Sequence, residues 1–338
     1  MDIKLSVCIP TYNRAEFLKE CLWSVITQAH SLRNDIEIII CDNNSSDTTE
    51  EIVKEYRREH DFIKYYKNER NLGYAGNQVK CIERAEGKYI AILCDDDMYV
   101  NDTLNSIFTV ISKKEYSFIA LNYYGFLKSI NKVFSTGFAP EKDMKFERGF
   151  DIMNYPSVGH FSGFVFNGFL AKSVLNGILK SRKIEEYEKG RGIIFDLAIR
   201  VTLFSALPSF FIGKRILATR IPKTVDYDML YHLCLDYYEY NLSIYNEGLI
   251  KKSDLEYRAQ LVLGNLPRAI VSNAPFLENI EIDRITEILT GYFKGYKRYD
   301  SLCYPLLKAV KYYPVKLMFK IMKISIKTLK KAMRRLKE

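Results

Sequence analysis

The chain reads as an α/β protein, a mostly parallel sheet flanked by helices and followed by a helical C-terminal region. Three observations predict it: strand-like and helix-like segments alternate through the first hundred residues, polar clusters recur where the strands end, and the sequence turns helical after Val225. "IKLSVCI" is a short β-branched run ending at Pro10. "RAEFLKECLWSVITQ" follows with Phe17, Leu18, Cys21, Leu22 and Val25 at helical spacing. "DIEIIIC" is the second strand, and "SSDTTEEIVKEYRRE" the second helix, where Asp47 and Glu50 predict a capping box. "FIKYY", "AGNQVKCIERA" and "KYIAILC" continue as strand, helix and strand. Pro10-Thr11, Asp42-Asn43 and Asp95 to Asp97 all fall at carboxyl ends of strands, the edge where such sheets collect ligands.

Beyond residue 115 the alternation loosens. Strand-like "YSFIALNYYGFL" and "KVFSTGF" precede a Gly- and aromatic-rich stretch, "GHFSGFVFNGFL". A charged loop, "KSRKIEEYEKGRG", leads into helix-like "IIFDLAIRVTLF". Three helical stretches follow: "DYDMLYHLCLDYYEYNLSIYNEGL", "DLEYRAQLVLGNLPRAIVSN" and "IEIDRITEILTGYFKGY". The expected divisions are an α/β body over 1–222, a helical region over 223–300, and a basic amphipathic helix over 301–338.

Hydrophobic content of 48% and charged content of 27% exclude wholesale disorder. Seven cysteines form no CxxC pair, and several lie in apolar runs, which fits a reducing compartment without disulfide framework or zinc site. "MDIKLSVCIP" enters a strand-like run at once, so no signal peptide is expected. No apolar run reaches the roughly 18 residues of a membrane span. Of the net charge of +9, +10 sits in residues 308–338, so residues 1–307 carry −1.

"AILCDDDMYV" sets Asp95, Asp96 and Asp97 directly after an apolar run. Adjacent carboxylates repel, and such a strand end calls for a cation. Hard Mg²⁺ or Mn²⁺ prefers carboxylate oxygens, keeps open coordination positions and can bridge a diphosphate. Taken alone, the triplet also reads as a solvated turn, and Asp42 to Asp47 as a turn with helix-cap residues.

Three stretches in order, "VCIPTYNRAEFLKECLWSVITQ", "IEIIICDNNSSDTTEEI" and "NERNLGYAGNQVKCIERAEGKYIAILCDDD", resemble the inverting GT-A glycosyltransferases of family 2. The resemblance is strong over about the first 105 residues, weak in the middle and absent from the C-terminal third. It implies metal-dependent transfer of one sugar, with inversion, from a nucleotide-sugar (UDP-sugar by default) to an acceptor hydroxyl. It makes the triplet a DxD-type metal motif, with Asp96 as ligand, Asp95 facing ribose or the metal's water, and Asp97 either a further ligand or a cap for the next segment. It assigns Asp42 to the donor's base, with Asn43 and Asn44 shaping the loop. Pro10 and Thr11 would supply backbone contacts and Tyr12 a stacking face. In "ERNLGYAGN", Gly73 allows close backbone approach and the helix start suits phosphate, which makes Arg70 and Asn77 donor contacts. Arg70 reads equally well as a solvated loop charge.

An inverting transfer needs a general base. The family carries Asp or Glu, often as an "ED" pair, shortly before a helix bearing Arg. Here "GRGIIFDLAIRVTL" offers Asp196 four residues before Arg200, without the preceding acid. An Asp in an apolar helical run is costly unless partnered or functional, so Asp196 is the first candidate and Glu188 the second. The competing reading is an ion pair of Asp196 with Arg200 one turn on. "HFSGFVFNG" resembles the acceptor-side floor and places His160, Ser162 and Gly163 near the sugar, although a single His also fits a packed core. The His-containing phosphate loop of some relatives is missing, with Arg220 or Lys223 as substitutes.

At the C-terminus, Val315, Met318, Met322, Ile326, Leu329, Met333 and Leu336 form one apolar stripe among lysines and arginines. A basic amphipathic helix of this kind lies on an anionic membrane surface. Body packing would bury the stripe equally well but would not need the charge, and no nucleic-acid motif accompanies it. The expected protein is a cytoplasmic enzyme at the inner face of the cell membrane, with a glycan or lipid-linked oligosaccharide as acceptor. Two rivals stay open. A nucleotidyltransferase would show a Gly-rich basic first loop, whereas "CIPTYNRAEF" has one Arg and no Gly. A non-catalytic membrane scaffold would need only the tail.

Overall fold

The computed structural model describes residues 3–100, 102–127, 130–131, 133–136, 140–155, 158, 160–187, 192–221, 236–273 and 282–312. It divides into two compact units, Met1–Lys223 and Thr224–Glu338.

The first unit opens with β1 (Leu5–Thr11), α1 (Ala15–Ala29), β2 (Ile36–Asp42), α2 (Thr49–Arg57), β3 (Ile63–Lys67), α3 (Gly73–Arg84) and β4 (Tyr89–Ile92). The four strands are parallel in the order β3-β2-β1-β4, as the alternation predicts. β1 and β2 are buried at every position, the pattern of strands covered on both faces. Pro10 lies in β1 two residues past its last β4 register pair, Cys8 with Ile92, where that ladder ends.

The rest of the sheet is mixed. β5 (Met98–Tyr99), α4 (Thr103–Lys113), β6 (Phe118–Phe126), β7 (Val133–Thr136), β8 (Met144–Phe146), β9 (Phe164–Asn167), α5 (Gly168–Ser181), α6 (Ile193–Phe204) and β10 (Ser209–Arg220) complete the unit. The path runs β3-β2-β1-β4-β9-β6-β10-β5, with β7 on β6 and β8 on β10. The aromatic-rich stretch supplies β9, which runs antiparallel to both β4 and β6 and closes the gap between them. Its phenylalanines earn that central place. Phe164 and Phe166 meet Phe118 at ring separations of 4.9 and 5.3 Å, and Phe164 meets Phe195 of α6 at 5.1 Å.

The capping box expected from Asp47 and Glu50 is replaced by another arrangement. α2 begins at Thr49, and Asp47 Oδ1 accepts from the Thr49 N–H and hydroxyl at 3.1 and 2.6 Å. Its Oδ2 accepts from the Ala15 N–H at the first turn of α1, 3.0 Å away. One carboxylate therefore serves two helix starts, where negative charge is favoured. Glu50 instead pairs with Lys54 and Lys67.

The second unit contains α7 (Asp236–Asn246), α8 (Lys252–Asn273), α9 (Ile282–Phe293) and α10 (Tyr304–Tyr312). Tyr238, Phe293, Tyr299 and Leu307 are buried in it, and the Tyr299 hydroxyl bonds Thr290 Oγ1 at 2.7 Å. No helix among the described residues is long and apolar enough to cross a membrane. The apolar stripe of the tail, from Val315 to Leu336, lies outside the described residues.

Candidate active site

Three strands bring their carboxyl ends together, and Thr11 links them. Thr11 ends β1 in register with Asp42 of β2. Its hydroxyl donates to Asp95 Oδ2 at 2.8 Å, just past β4. The acidic triplet and the Asp42 loop, predicted from separate motifs, thus flank one residue.

Asp42 has no solvent exposure. Its Oδ1 accepts from the Ser45 N–H at 2.8 Å and its Oδ2 from the Tyr65 hydroxyl at 2.5 Å. Burial, then this carboxylate, pushes the Tyr65 hydroxyl far up, so it stays a donor. Asn13 and Asn44 follow β1 and β2 with φ of 52° and 68°, a left-handed conformation that Asn tolerates better than most residues. Asn13 Oδ1 accepts from the Ser46 N–H at 2.8 Å, which ties the two loops together.

An asparagine network holds the loop before α3. Asn43 Oδ1 accepts from the Leu72 N–H at 2.8 Å, and its Nδ2 donates to Asn71 Oδ1 and the Gly73 carbonyl at 2.8 and 3.0 Å. Asn77 is buried; its Nδ2 donates to the Cys41 carbonyl at 2.8 Å and its Oδ1 accepts from Asn68 at 2.9 Å. The sequence reading gave Asn77 a donor contact, whereas these bonds commit its amide to the protein. Asn77→Ala should therefore cost about 1–3 kcal/mol of stability through unpaired buried groups, measured by chemical denaturation. Pro10 is enclosed in β1, and Tyr12 and Arg70 are exposed at the rim.

The triplet divides its work. Asp95 is nearly buried, with Oδ2 on Thr11 and Oδ1 taking Arg14 Nη1 at 2.9 Å. Burial raises its carboxyl to about 6 against the opposing pull of Arg14. Asp96 is partly exposed, and its Oδ2 takes Arg14 Nη2 at 3.0 Å. Asp97 is enclosed; Oδ2 accepts from the Ser162 hydroxyl at 2.6 Å and Oδ1 from the Arg220 N–H at 2.8 Å. Burial, with Asp96 adding repulsion, raises Asp97 to about 8. Its alternative role as a cap for the next segment is not realised: the next helix starts at Thr103, and Asp97 fastens the end of β10 instead.

Ser162, expected at the acceptor floor, also accepts from the Cys94 N–H at 2.9 Å and so braces the triplet's turn. His160 Nδ1 lies 3.7 Å from Asp97 Oδ2, and burial lowers the imidazole to about 4, which keeps it neutral. Gly163 sits against the Leu121 carbonyl, where a Cβ would come within 3.0 Å. The Arg220 guanidinium pairs with Glu20 and donates to the Asp96 carbonyl at 3.3 Å. Lys223 and Glu188 lie outside the described residues.

Asp196 is fully buried in the first turn of α6. Oδ1 takes Arg200 Nε at 2.8 Å, so the ion pair one turn apart exists, and Oδ2 takes the Tyr187 hydroxyl at 2.6 Å.

The sequence profile described as "Glycosyl transferase family 2" matches residues 6–170, a span that holds every strand-end cluster just described. Those residues are a family 2 glycosyltransferase domain. The chain is 40% identical over 111 residues to an abequosyltransferase, RfbV, of Salmonella typhimurium, covering 32% of this chain and 33% of that protein. It is 35% identical over 105 residues to a GalNAc(5)-diNAcBac-PP-undecaprenol beta-1,3-glucosyltransferase of Campylobacter jejuni, covering 31% and 33%. Each match spans about a third of the curated relative. S. aureus TarS in complex with UDP-GlcNAc superposes with a TM-score of 0.63 at 17% identity, covering 91% of this chain and 87% of that one. A mannosyltransferase of Pyrobaculum calidifontis in complex with GDP-Man and Mn²⁺ gives 0.56 at 13% identity, covering 92% and 86%. These two likenesses establish the GT-A fold.

Within this family 2 domain, the ligand atoms of Cys94, Asp96 and Asp97 lie within 4.8 Å of one another. Burial pushes the Cys94 thiol well up, so it stays protonated beside the two carboxylates. The two hard oxygen donors, Asp96 and Asp97, fit Mg²⁺ or Mn²⁺, which keeps positions for water and phosphate. Asp95 is not part of this group; its oxygens take Thr11 and Arg14.

Sequence reasoning gave no role to Arg14, Cys94, Tyr65 or Ser45. Arg14 had a signal, as the lone Arg of the loop after β1 in a chain with an acidic triplet. Tyr65 and Ser45 had none, since ordinary strand and turn positions hide such bonds.

Proposed function

We propose that the chain is a metal-dependent, inverting glycosyltransferase that takes sugar from a nucleotide-sugar, by default a UDP-sugar. The observation that carries this is Thr11 joining the Asp42 loop to the acidic triplet across adjacent parallel strands. That edge offers a nucleoside site at one end and a diphosphate site at the other. Asp42, held by Ser45 and Tyr65, faces the base; Tyr12 provides an exposed ring for stacking, and Arg70 a charge for the donor.

Asp96 and Asp97 would hold the cation, which when bound supplies Lewis-acid charge to the leaving diphosphate. Asp95, held by Thr11, would face the ribose or the metal's water. Asp196 is the carboxylate proposed to take the acceptor's proton, with Glu188 second. As it stands Asp196 is enclosed, so contact with an acceptor requires it to release Tyr187. Ser162 and His160 sit beside Asp97, where the transferred sugar would lie.

The acceptor proposed is a lipid-linked oligosaccharide or cell-surface polymer, in keeping with the basic apolar tail and with the undecaprenol-linked glycan in the name of the Campylobacter relative. That tail would hold the enzyme on the inner face of the membrane. Hydrolysis of a panel of nucleotide-sugars with Mn²⁺ tests the reading. One donor should be turned over and excess chelator should abolish the signal; unimpaired turnover in chelator would sink the metal-dependent reading.

A further inference from the structure

We infer that Arg14 and the divalent cation are alternative counterions of the acidic triplet, so that cation entry turns the Arg14 guanidinium out toward the bound diphosphate. The inference rests on the metal-dependent reading above and deepens it by adding a residue that gates the site.

Arg14 bridges two different carboxylates, Nη1 to Asp95 at 2.9 Å and Nη2 to Asp96 at 3.0 Å. Two charge-assisted bonds from one planar group let a single cation serve both carboxylates. Arg220 does not share the task, since its guanidinium is directed to Glu20 and to the Asp96 backbone carbonyl. The oxygen that Arg14 occupies belongs to Asp96, and Asp96 with Asp97 forms the group able to hold a cation. A dication and a guanidinium on one carboxylate repel strongly at this range.

Arg14 also has somewhere to go. Its side chain is 44% exposed and starts from the loop before α1. Its guanidinium carbon already stands 5.2 Å from the centroid of the Phe17 ring, a cation-attracting surface that the Arg220 guanidinium also approaches, at 5.0 Å. Once released, the guanidinium is a bidentate donor a few ångströms from where diphosphate oxygens would arrive. The site would thus stay partly neutralised without metal and gain a phosphate ligand with it.

The test is Mn²⁺ binding alone, by calorimetry and by the paramagnetic signal of free Mn²⁺, on the full chain and on Arg14→Gln, Arg14→Lys and Asp96→Asn. Arg14→Gln should bind Mn²⁺ about tenfold tighter, the scale of two half-exposed charge-assisted bonds. Arg14→Lys, which keeps the charge but cannot span both carboxylates, should fall between and serves if the Gln variant is unstable. Asp96→Asn should bind no Mn²⁺ in either background. In the unmutated chain, Mg²⁺ should speed phenylglyoxal modification of Arg14, read by mass spectrometry. The inference is overturned if Arg14→Gln binds no tighter, if the gain survives in Asp96→Asn, or if Mg²⁺ leaves Arg14 modification unchanged or slower. No sugar transfer is read, so failure of the glycosyltransfer reading would not produce these outcomes, nor they its failure.

Discussion

Asp96→Asn should abolish sugar transfer and leave the protein folded. Asp96 is the partly exposed member of the triplet, and its side chain bonds Arg14, itself half exposed. Ion pairs of that kind contribute about 0–1 kcal/mol, so the thermal midpoint should move by only a few degrees. The chemical loss is of another order. Removing one of two carboxylates able to hold the cation withdraws charge stabilisation of the leaving diphosphate, on the order of 10²–10³-fold in turnover. Metal-dependent nucleotide binding, measured by calorimetry, should be lost with it. A variant that keeps both would remove the triplet from the mechanism.

Asp196→Ala should act on stability first. It leaves Arg200, about a tenth exposed, and Tyr187 without the carboxylate that both of them bond. Breaking a buried pair from one side costs about 3–5 kcal/mol, which for a unit of this size is roughly 6–20 °C in the thermal midpoint. Asp196→Asn separates the two roles because it keeps the shape and an acceptor for Arg200. If Asp196 takes the acceptor's proton, the Asn variant should lose about 10²–10⁴-fold in turnover while donor binding persists. If it serves only to fasten α6, turnover should track the folded fraction in a denaturation curve.

The sequence made the first half of the sheet legible because a parallel strand buried on both faces is written as a continuous apolar run, as in "IEIIICD". The strand-end clusters were legible for the same reason, since polar residues that stop such a run must lie at its edge. The second half of the sheet was harder to read. Nothing in "FVFN" states that β9 runs antiparallel between β4 and β6, because pairing direction depends on which neighbours remain unpaired. Side-chain commitments were hidden in the same way. Asn77 reads as a ligand contact until its amide is found bonded to the Cys41 carbonyl, and Asp47 reads as the first half of a capping box until it is found bonding both α1 and α2.

Thr11 touches both halves of the donor site from a single position, and this limits how the gene can drift. Deleting one codon anywhere in β1 would flip the alternation of its side chains and uncouple the nucleoside end from the diphosphate end in one event. Insertions in the loops beyond Lys113 that leave Ser162 and Arg220 in place carry no such penalty. Divergence in donor and acceptor choice should therefore accumulate there, while the length of the first strand stays fixed.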